Sequence, residues 1–367
     1  MIPIYVPSLT EKETLYMNQA IASGWVSSLG EFINRFEESF ASFCGTKYAV
    51  STSNGTTALH LALKVAGIME GDEVIIPDLT FVATSNAVKY LKASPVYVDI
   101  EDFNLCIDPQ KIIEAITPKT KCILPVHLYG HPANMQEIMQ IANKYGLIVI
   151  EDAAEAHGAE VNGKRVGSFG NMGVFSFYGN KIITTGEGGM ITTNDSNYYE
   201  KLKFYRDHAM SKDKRYWHTD IGFNYRMTNV QAALGLAQLE RINDILALKN
   251  NIYNWYFSFL GDIEGISLNR TSSWAKNVYW LISLQIYGIS LEKREEFINI
   301  LKGKGIDCRP FFYPLSQMPM NINDIKMDTF TVDKNYKIGI NLPSYCDLTY
   351  EQVEFICNEI ISIVQDK

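Results

Sequence analysis

Between residues 47 and 195 the chain keeps repeating a short apolar run followed by an amphipathic stretch, and few folds accommodate that alternation. The apolar runs are Tyr48 to Val50, Glu73 to Ile76, Pro95 to Val98, Cys122 to Val126 and Leu147 to Ile150. Helical spacing marks the intervening segments Thr56 to Val65, Pro109 to Ile116 and Asn134 to Lys144. A strand without polar alternation is buried on both faces, and strands that alternate with helices assemble into a mainly parallel sheet covered on both sides. The spacing therefore predicts an α/β chain. After Asp152 the pattern shortens to strands around Gly173 to Phe177 and Gly189 to Thr193.

The remainder reads differently. One long helix is predicted from the cap residue Thr228 through the 240s, with Val230, Leu234, Ala237, Ile242 and Ile245 on its apolar side. Beyond it, Val278 to Ile286 and Asp307 to Phe312 read as strands, and Glu292 to Lys304 and Gln352 to Val364 as helices. A chain of 367 residues exceeds what one core usually serves. The expectation is a large α/β domain over 1–240 and a smaller α+β domain over 241–367, sharing a rigid interface.

Charge and cysteine usage narrow the function classes. The formal net charge is −8 and no run of Lys and Arg occurs, which argues against a nucleic-acid partner. The six cysteines form no CxxC pair, so a reduced, cytoplasmic chain is expected. The first residues lack the basic and apolar regions of a secretion signal, and no apolar run approaches the ~18 residues of a membrane helix. His127 and His131 are four apart, but Gly130 and Pro132 argue for a loop, so no metal site is expected.

Three segments carry chemistry. Ser51 to Thr57 (STSNGTT) follows a strand and opens a helix, so amides, hydroxyls and the positive helix end converge where a phosphate could sit. An ordinary polar helix cap fits the same residues; a P-loop or a GxGxxG nucleotide fingerprint does not. Glu151 to His157 (EDAAEAH) directly follows the strand ending at Ile150, where ligands of open α/β sheets bind. A carboxylate buried there needs a partner, such as a protonated ring nitrogen. Ser176 to Lys181 (SFYGNK), followed by Gly186 to Gly189, sets one lysine among aromatic and glycine residues, where a desolvated amine can act as a nucleophile. Each segment alone has a bland structural reading. Together they supply the phosphate cradle, acid and imine-forming lysine that pyridoxal 5'-phosphate needs. A non-catalytic binder on the same fold would be expected to have lost Lys181 or Asp152, and both are present.

At these residues the chain resembles the DegT/DnrJ/EryC1/StrS sugar aminotransferases, within the fold-type I pyridoxal-phosphate enzymes. The likeness runs from Val6 to near the C-terminus. It is carried by Trp25-Val26-Ser27-Ser28, Ser53 to Leu59, Glu151 to Ala156, Ser176 to Lys181 and Gly186 to Met190. Further segments, Tyr216 to His218, Gly222 to Asn229, Arg309 to Pro314, Met318 to Met320 and Asn341 to Ser344, resemble members that aminate C4 of a nucleotide-linked 4-keto-6-deoxy sugar. The resemblance implies roles by position. Lys181 and Asp152 would be catalytic. Gly55, Thr56 and Ser176 would take the cofactor phosphate, joined by Asn224 from a second subunit of a homodimer. Phe81 would lie against the cofactor ring and Glu155 at its other edge, where many relatives have Gln. Trp25, Ser27, His218 and Tyr313 would lie near the sugar nucleotide, and Arg226 and Arg309 would meet a carboxylate or pyrophosphate. The implied partners are the keto sugar and the donor pair L-glutamate and 2-oxoglutarate.

Overall fold

The structure, a computed structural model, describes residues 1–365. Seven strands of the main sheet arise in chain order: β1 Tyr48–Thr52, β2 Glu73–Pro77, β3 Ser94–Val98, β4 Thr120–Ile123, β5 Ile148–Asp152, β6 Met172–Ser176 and β7 Gly189–Thr193. Across the sheet they lie in the order β1-β7-β6-β5-β4-β2-β3, with the two-residue strand Ile325–Lys326 outermost. All neighbours from β6 to that outer strand run parallel, and β7 is antiparallel to both β1 and β6. The expected α/β class with a mainly parallel sheet is what forms. β2, β6 and β7 are buried at every position, the polar Glu73, Ser176, Thr192 and Thr193 included, as strands covered on both faces must be.

Two apolar clusters sandwich the sheet. On one side, helix Glu31–Cys44 presents Phe36 and Phe40 to Phe175 of β6 and to Phe177 just beyond its end, with ring centroids 4.9–5.3 Å apart. Helix Asn229–Leu239 packs over them. A side chain at Gly235 would put its first carbon 2.7 Å from the Phe36 ring, so that helix approaches through a glycine. A third cluster fills the C-terminal unit, where Ile266–Ser267, Ile282–Ile286, Gly339–Leu342 and Arg309–Pro310 form a four-stranded antiparallel sheet against helices Ile242–Leu260, Leu291–Gly303 and Tyr350–Gln365. Among the described residues, no helix is long and apolar enough to cross a membrane.

Several boundaries differ from expectation. Thr228 does cap a helix, its side chain accepting from the Gln231 amide, but the predicted single helix is two, Asn229–Leu239 and Ile242–Leu260. Arg241 leaves helical geometry between them, where its guanidinium bonds Glu13 at 2.9 Å and the Ser8 carbonyl. The strand predicted from Val278 begins only at Ile282. Tyr279 sits in the left-handed region at φ 48°, which ends any ladder there. The strand predicted over Asp307 to Phe312 shrinks to Arg309–Pro310.

The loop between β4 and the helix Met135–Tyr145 is tied to the C-terminal unit through His131. Its Nδ1 lies 2.7 Å from the Pro132 carbonyl and its Nε2 accepts from the Ser272 amide at 3.1 Å, an arrangement that only the neutral ring satisfies. Burial pushes this imidazole down to about 4 from 6.5. The unfolded chain takes up that proton near pH 6.5 and the folded chain only near 4. Stability from this residue is therefore intact above 6.5 and is lost as the pH falls toward 4, by about 3 kcal/mol. Urea unfolding of the wild type and of His131→Gln at pH 7 and pH 4.5 should show the steeper acid loss in the wild type.

Candidate active site

The carboxyl ends of β1, β2, β5 and β6 surround a cavity of about 660 Å³. After β1, the chain turns into helix Gly55–Val65 through a capping box. Asn54 Oδ1 accepts from the Thr57 amide at 2.9 Å, and Thr57 Oγ1 accepts from the Asn54 amide at 3.2 Å. The amides of Gly55 and Thr56, in the first turn, have no carbonyl to bond within the helix, and both residues line the cavity. A side chain at Gly55 would place its first carbon 2.8 Å from Ser176 Cβ, so the helix end and the end of β6 meet only because glycine stands there. This corner is shaped for an anion.

Asp152 closes β5 and is 5% exposed. Its Oδ2 accepts from Thr84 Oγ1 at 2.8 Å and its Oδ1 from the Ala154 amide at 3.2 Å. Burial raises its carboxyl above the usual range, against those hydrogen bonds and the Lys181 charge. Its neighbour Glu151 has a different task. It accepts from the amides of Gly167, Phe169 and Gly170 at 2.7–2.8 Å and pairs with His127 Nε2 at 3.2 Å, which pins the loops behind the site.

Glu155 lies in the same wall, its Oε2 accepting from the Tyr129 amide at 2.9 Å. That amide is aimed by a left-handed backbone at Tyr129 (φ 53°), a conformation a tyrosine adopts only when its surroundings impose it. Burial pushes the Glu155 carboxyl up to about 7.

Lys181 stands in the loop joining β6 to β7. The Phe177 amide donates to the Gly188 carbonyl at 2.8 Å, and the Thr185 amide donates to the Phe177 carbonyl at 2.9 Å, closing that loop; Tyr5 adds a hydroxyl donor to the Lys181 carbonyl. Its Nζ is 3.7 Å from Glu155 Oε1 and 3.9 Å from the centroid of the Trp280 ring. Burial drives the amine below the ordinary lysine range, with Glu155 and Asp152 opposing the fall. Phe81, half exposed, lines the mouth with its ring 5.8 Å from that of Phe312.

Seven of the sequence candidates thus meet in one cavity: Gly55, Thr56, Phe81, Asp152, Glu155, Ser176 and Lys181. The other seven do not line it within one chain. Asn224 and Arg226 lie together on the surface, Arg226 Nε donating to Asn224 Oδ1 at 3.1 Å and its Nη1 pairing with Asp207. Trp25 and Ser27 belong to the loop before helix Glu31–Cys44, where their carbonyls accept from Asn229. His218 is exposed and its Nδ1 lies 2.8 Å from the His208 carbonyl. Arg309 pairs with Asp307 at 2.7 Å, and Tyr313 lies beside Arg294 and Glu295.

The sequence pattern of the DegT/DnrJ/EryC1/StrS aminotransferase family matches residues 7–361. The chain belongs to this family. It is 44% identical over 366 residues to a GDP-perosamine synthase of Escherichia coli O157:H7, covering 100% of this chain and 99% of that one. It is 43% identical to a GDP-perosamine synthase of Caulobacter vibrioides, covering 96% and 95%. Among solved structures, the aminotransferase from Psychrobacter cryohalolentis superposes with a TM-score of 0.92 at 30% identity, covering 98% of each chain. A Streptococcus pneumoniae relative solved in its PLP form does so at 0.94 and 26% identity, covering 100% of this chain and 99% of that one. Like its family, the chain is an aminotransferase and an α/β enzyme of the pyridoxal-phosphate type.

Sequence reasoning missed four contributors to this family member's site: Thr84, the Tyr129 amide, Tyr5 and Trp280. Thr84 stands three residues after Phe81 in a segment read only for its aromatic, so its spacing held a signal. Trp280 sits in a run that reads as strand, and nothing local distinguishes it from a core residue. The anion corner yields a direct test. Gly55→Ala should weaken binding of pyridoxal phosphate by the cofactor-free protein at least tenfold, about 1.4 kcal/mol, in a fluorescence-quenching titration. The thermal unfolding midpoint should fall as well, because the added carbon forces the helix end away from Ser176.

Proposed function

We propose that this aminotransferase binds pyridoxal 5'-phosphate at the β-strand ends and converts GDP-4-keto-6-deoxy-D-mannose to GDP-perosamine with L-glutamate as amino donor. The observation that carries the cofactor reading is the convergence of a buried amine, a buried carboxylate and an unbonded helix end in one cavity. The sugar is taken from the full-length relatives named GDP-perosamine synthase. The residues present fit the cofactor. Gly55, Thr56 and Ser176 would hold its phosphate, Asp152 would keep its ring nitrogen protonated, Phe81 would cover its ring, and Glu155 would meet the far edge.

When bound, the cofactor supplies an aldehyde that takes up amines and a ring that accepts the electron pair of a deprotonated carbon. The rest is work for the chain. Lys181 removes the α-proton of the donor, which leaves as 2-oxoglutarate, and in the second half-reaction delivers a proton to C4 of the sugar. Burial favours the neutral amine that the first transfer needs. Glu155, pushed up to about 7 and 3.7 Å away, can exchange a proton with it near neutral pH. Phe81, Tyr178 and Phe312 line the cavity as aromatic walls that would flank a bound sugar. On the family resemblance we assign Asn224 to the cofactor phosphate of the partner subunit in a homodimer and Arg226 to the donor carboxylate or the pyrophosphate; neither reaches the cavity of its own chain. Trp25, Ser27, His218, Arg309 and Tyr313 are assigned to the sugar nucleotide on the family resemblance of the motifs that carry them.

Borohydride reduction of the loaded enzyme followed by peptide mapping should place the pyridoxyl group on Lys181; a different lysine would refute the site. Lys181→Ala should lower turnover by at least 10³-fold, on the order of 4 kcal/mol of barrier, while circular dichroism stays native. A screen of GDP-4-keto-6-deoxymannose against UDP- and dTDP-linked 4-keto-6-deoxyglucose should give its largest kcat/KM with the GDP sugar.

A further inference from the structure

We infer that Trp280 is a positioning residue for the reacting amine, an aromatic face on which the charged Lys181 rests whenever it is not covalently held. The ammonium nitrogen lies 3.9 Å from the indole centroid, well inside the range of a cation–π contact, and the indole is only 3% exposed, so water screens the contact little. The ring is fastened to the lysine's own loop, its Nε1 donating to the Asn180 carbonyl at 2.7 Å. The Tyr129 ring stacks near it, centroids 6.4 Å apart at 24°.

Its backbone is held just as firmly. The Trp280 carbonyl accepts from Lys249 Nζ at 2.9 Å and from Ser344 Oγ at 3.0 Å. Lys249 is 1% exposed, and its other hydrogen bonds go to the carbonyl and hydroxyl of Ser344. Among the described residues it has no carboxylate partner. Burial brings this amine down to about 7, and its hydrogen bonds fix the segment that carries the indole.

The chemistry explains why an indole suits this place. An amine released from a carbonyl carbon must hold a proton before passing it on. The groups facing Lys181 are Glu155, Asp152 and the buried imidazole of His157, with the Tyr5 hydroxyl directed at its backbone carbonyl. A carboxylate such as Glu155 stabilises the ammonium but also competes for its proton. The indole face attracts the positive charge and cannot accept the proton.

This inference rests on Lys181 being the reacting amine, which the borohydride mapping tests separately. Its own test uses cofactor-free protein. Trace acetylation with acetic anhydride across pH, read by mass spectrometry of the Lys181 peptide, reports the pKa of that amine in wild type, Trp280→Phe and Trp280→Leu. The leucine variant should titrate about one pH unit lower than wild type, because a stabiliser of the charged form is gone. The phenylalanine variant should shift in the same direction by less. If the indole merely kept water out, the smaller side chains would admit solvent and the pKa would rise. An unchanged or raised value in either variant overturns the proposal. Should Trp280→Leu fail to fold, the phenylalanine variant decides alone.

Discussion

The site is organised around a conflict between burial and charge. Lys181, Glu155 and Asp152 share one cavity, and each is at least nine-tenths removed from water. Burial drives all three toward neutrality, the amine downward and the two carboxyls upward. The amine and the two carboxylates oppose one another's shifts through their charges, while the Asp152 charge adds to the rise at Glu155. A reacting amine, the role proposed for Lys181, needs this balance, since it has to attack carbon while neutral and hold a proton while charged. The rest of the fold supplies the low-dielectric walls and the few hydrogen bonds that keep the balance from collapsing.

Those supports come from distant parts of the chain. Thr84 and the Ala154 amide hold Asp152, the strained Tyr129 backbone aims an amide at Glu155, and Tyr5 and Trp280 secure the Lys181 loop from opposite ends of the sequence. Glu151 illustrates how adjacent carboxylates divide labour. It lies next to Asp152 but on a strand, where neighbouring side chains point to opposite faces. One acid therefore faces the cavity, while the other is fully bonded to three amides and a histidine.

Much of this was legible in advance, for reasons that can be named. Strands buried on both faces must be written as apolar runs, so β2 to β5 announced themselves within two or three residues. The anion corner was readable because a capped helix start following a strand is a local event, spelled by Asn54, Gly55, Thr56 and Thr57. The failures were equally physical. The break at Arg241 depends on Glu13 and Ser8, more than 200 positions away, and the shortened strand after Val278 depends on a left-handed Tyr279 beneath the Gly130 loop. Neither leaves a mark in its own neighbourhood.

The amino-acid sequence alone determined the layered α/β class and the strands that end at the site, and it nominated Lys181, Asp152 and the Gly55–Thr56 turn. The class and strands follow from periodicity over a few residues, and the nominated residues from local chemistry taken in combination and from the family resemblance. Only the tertiary structure decided which of the fourteen candidates share a cavity, that Thr84 and Tyr129 hold the carboxyls, and that an indole from the C-terminal unit lies under the amine. Contacts between residues a hundred positions apart are set by how whole layers pack, and packing is a property of the assembled core that no short window of sequence contains.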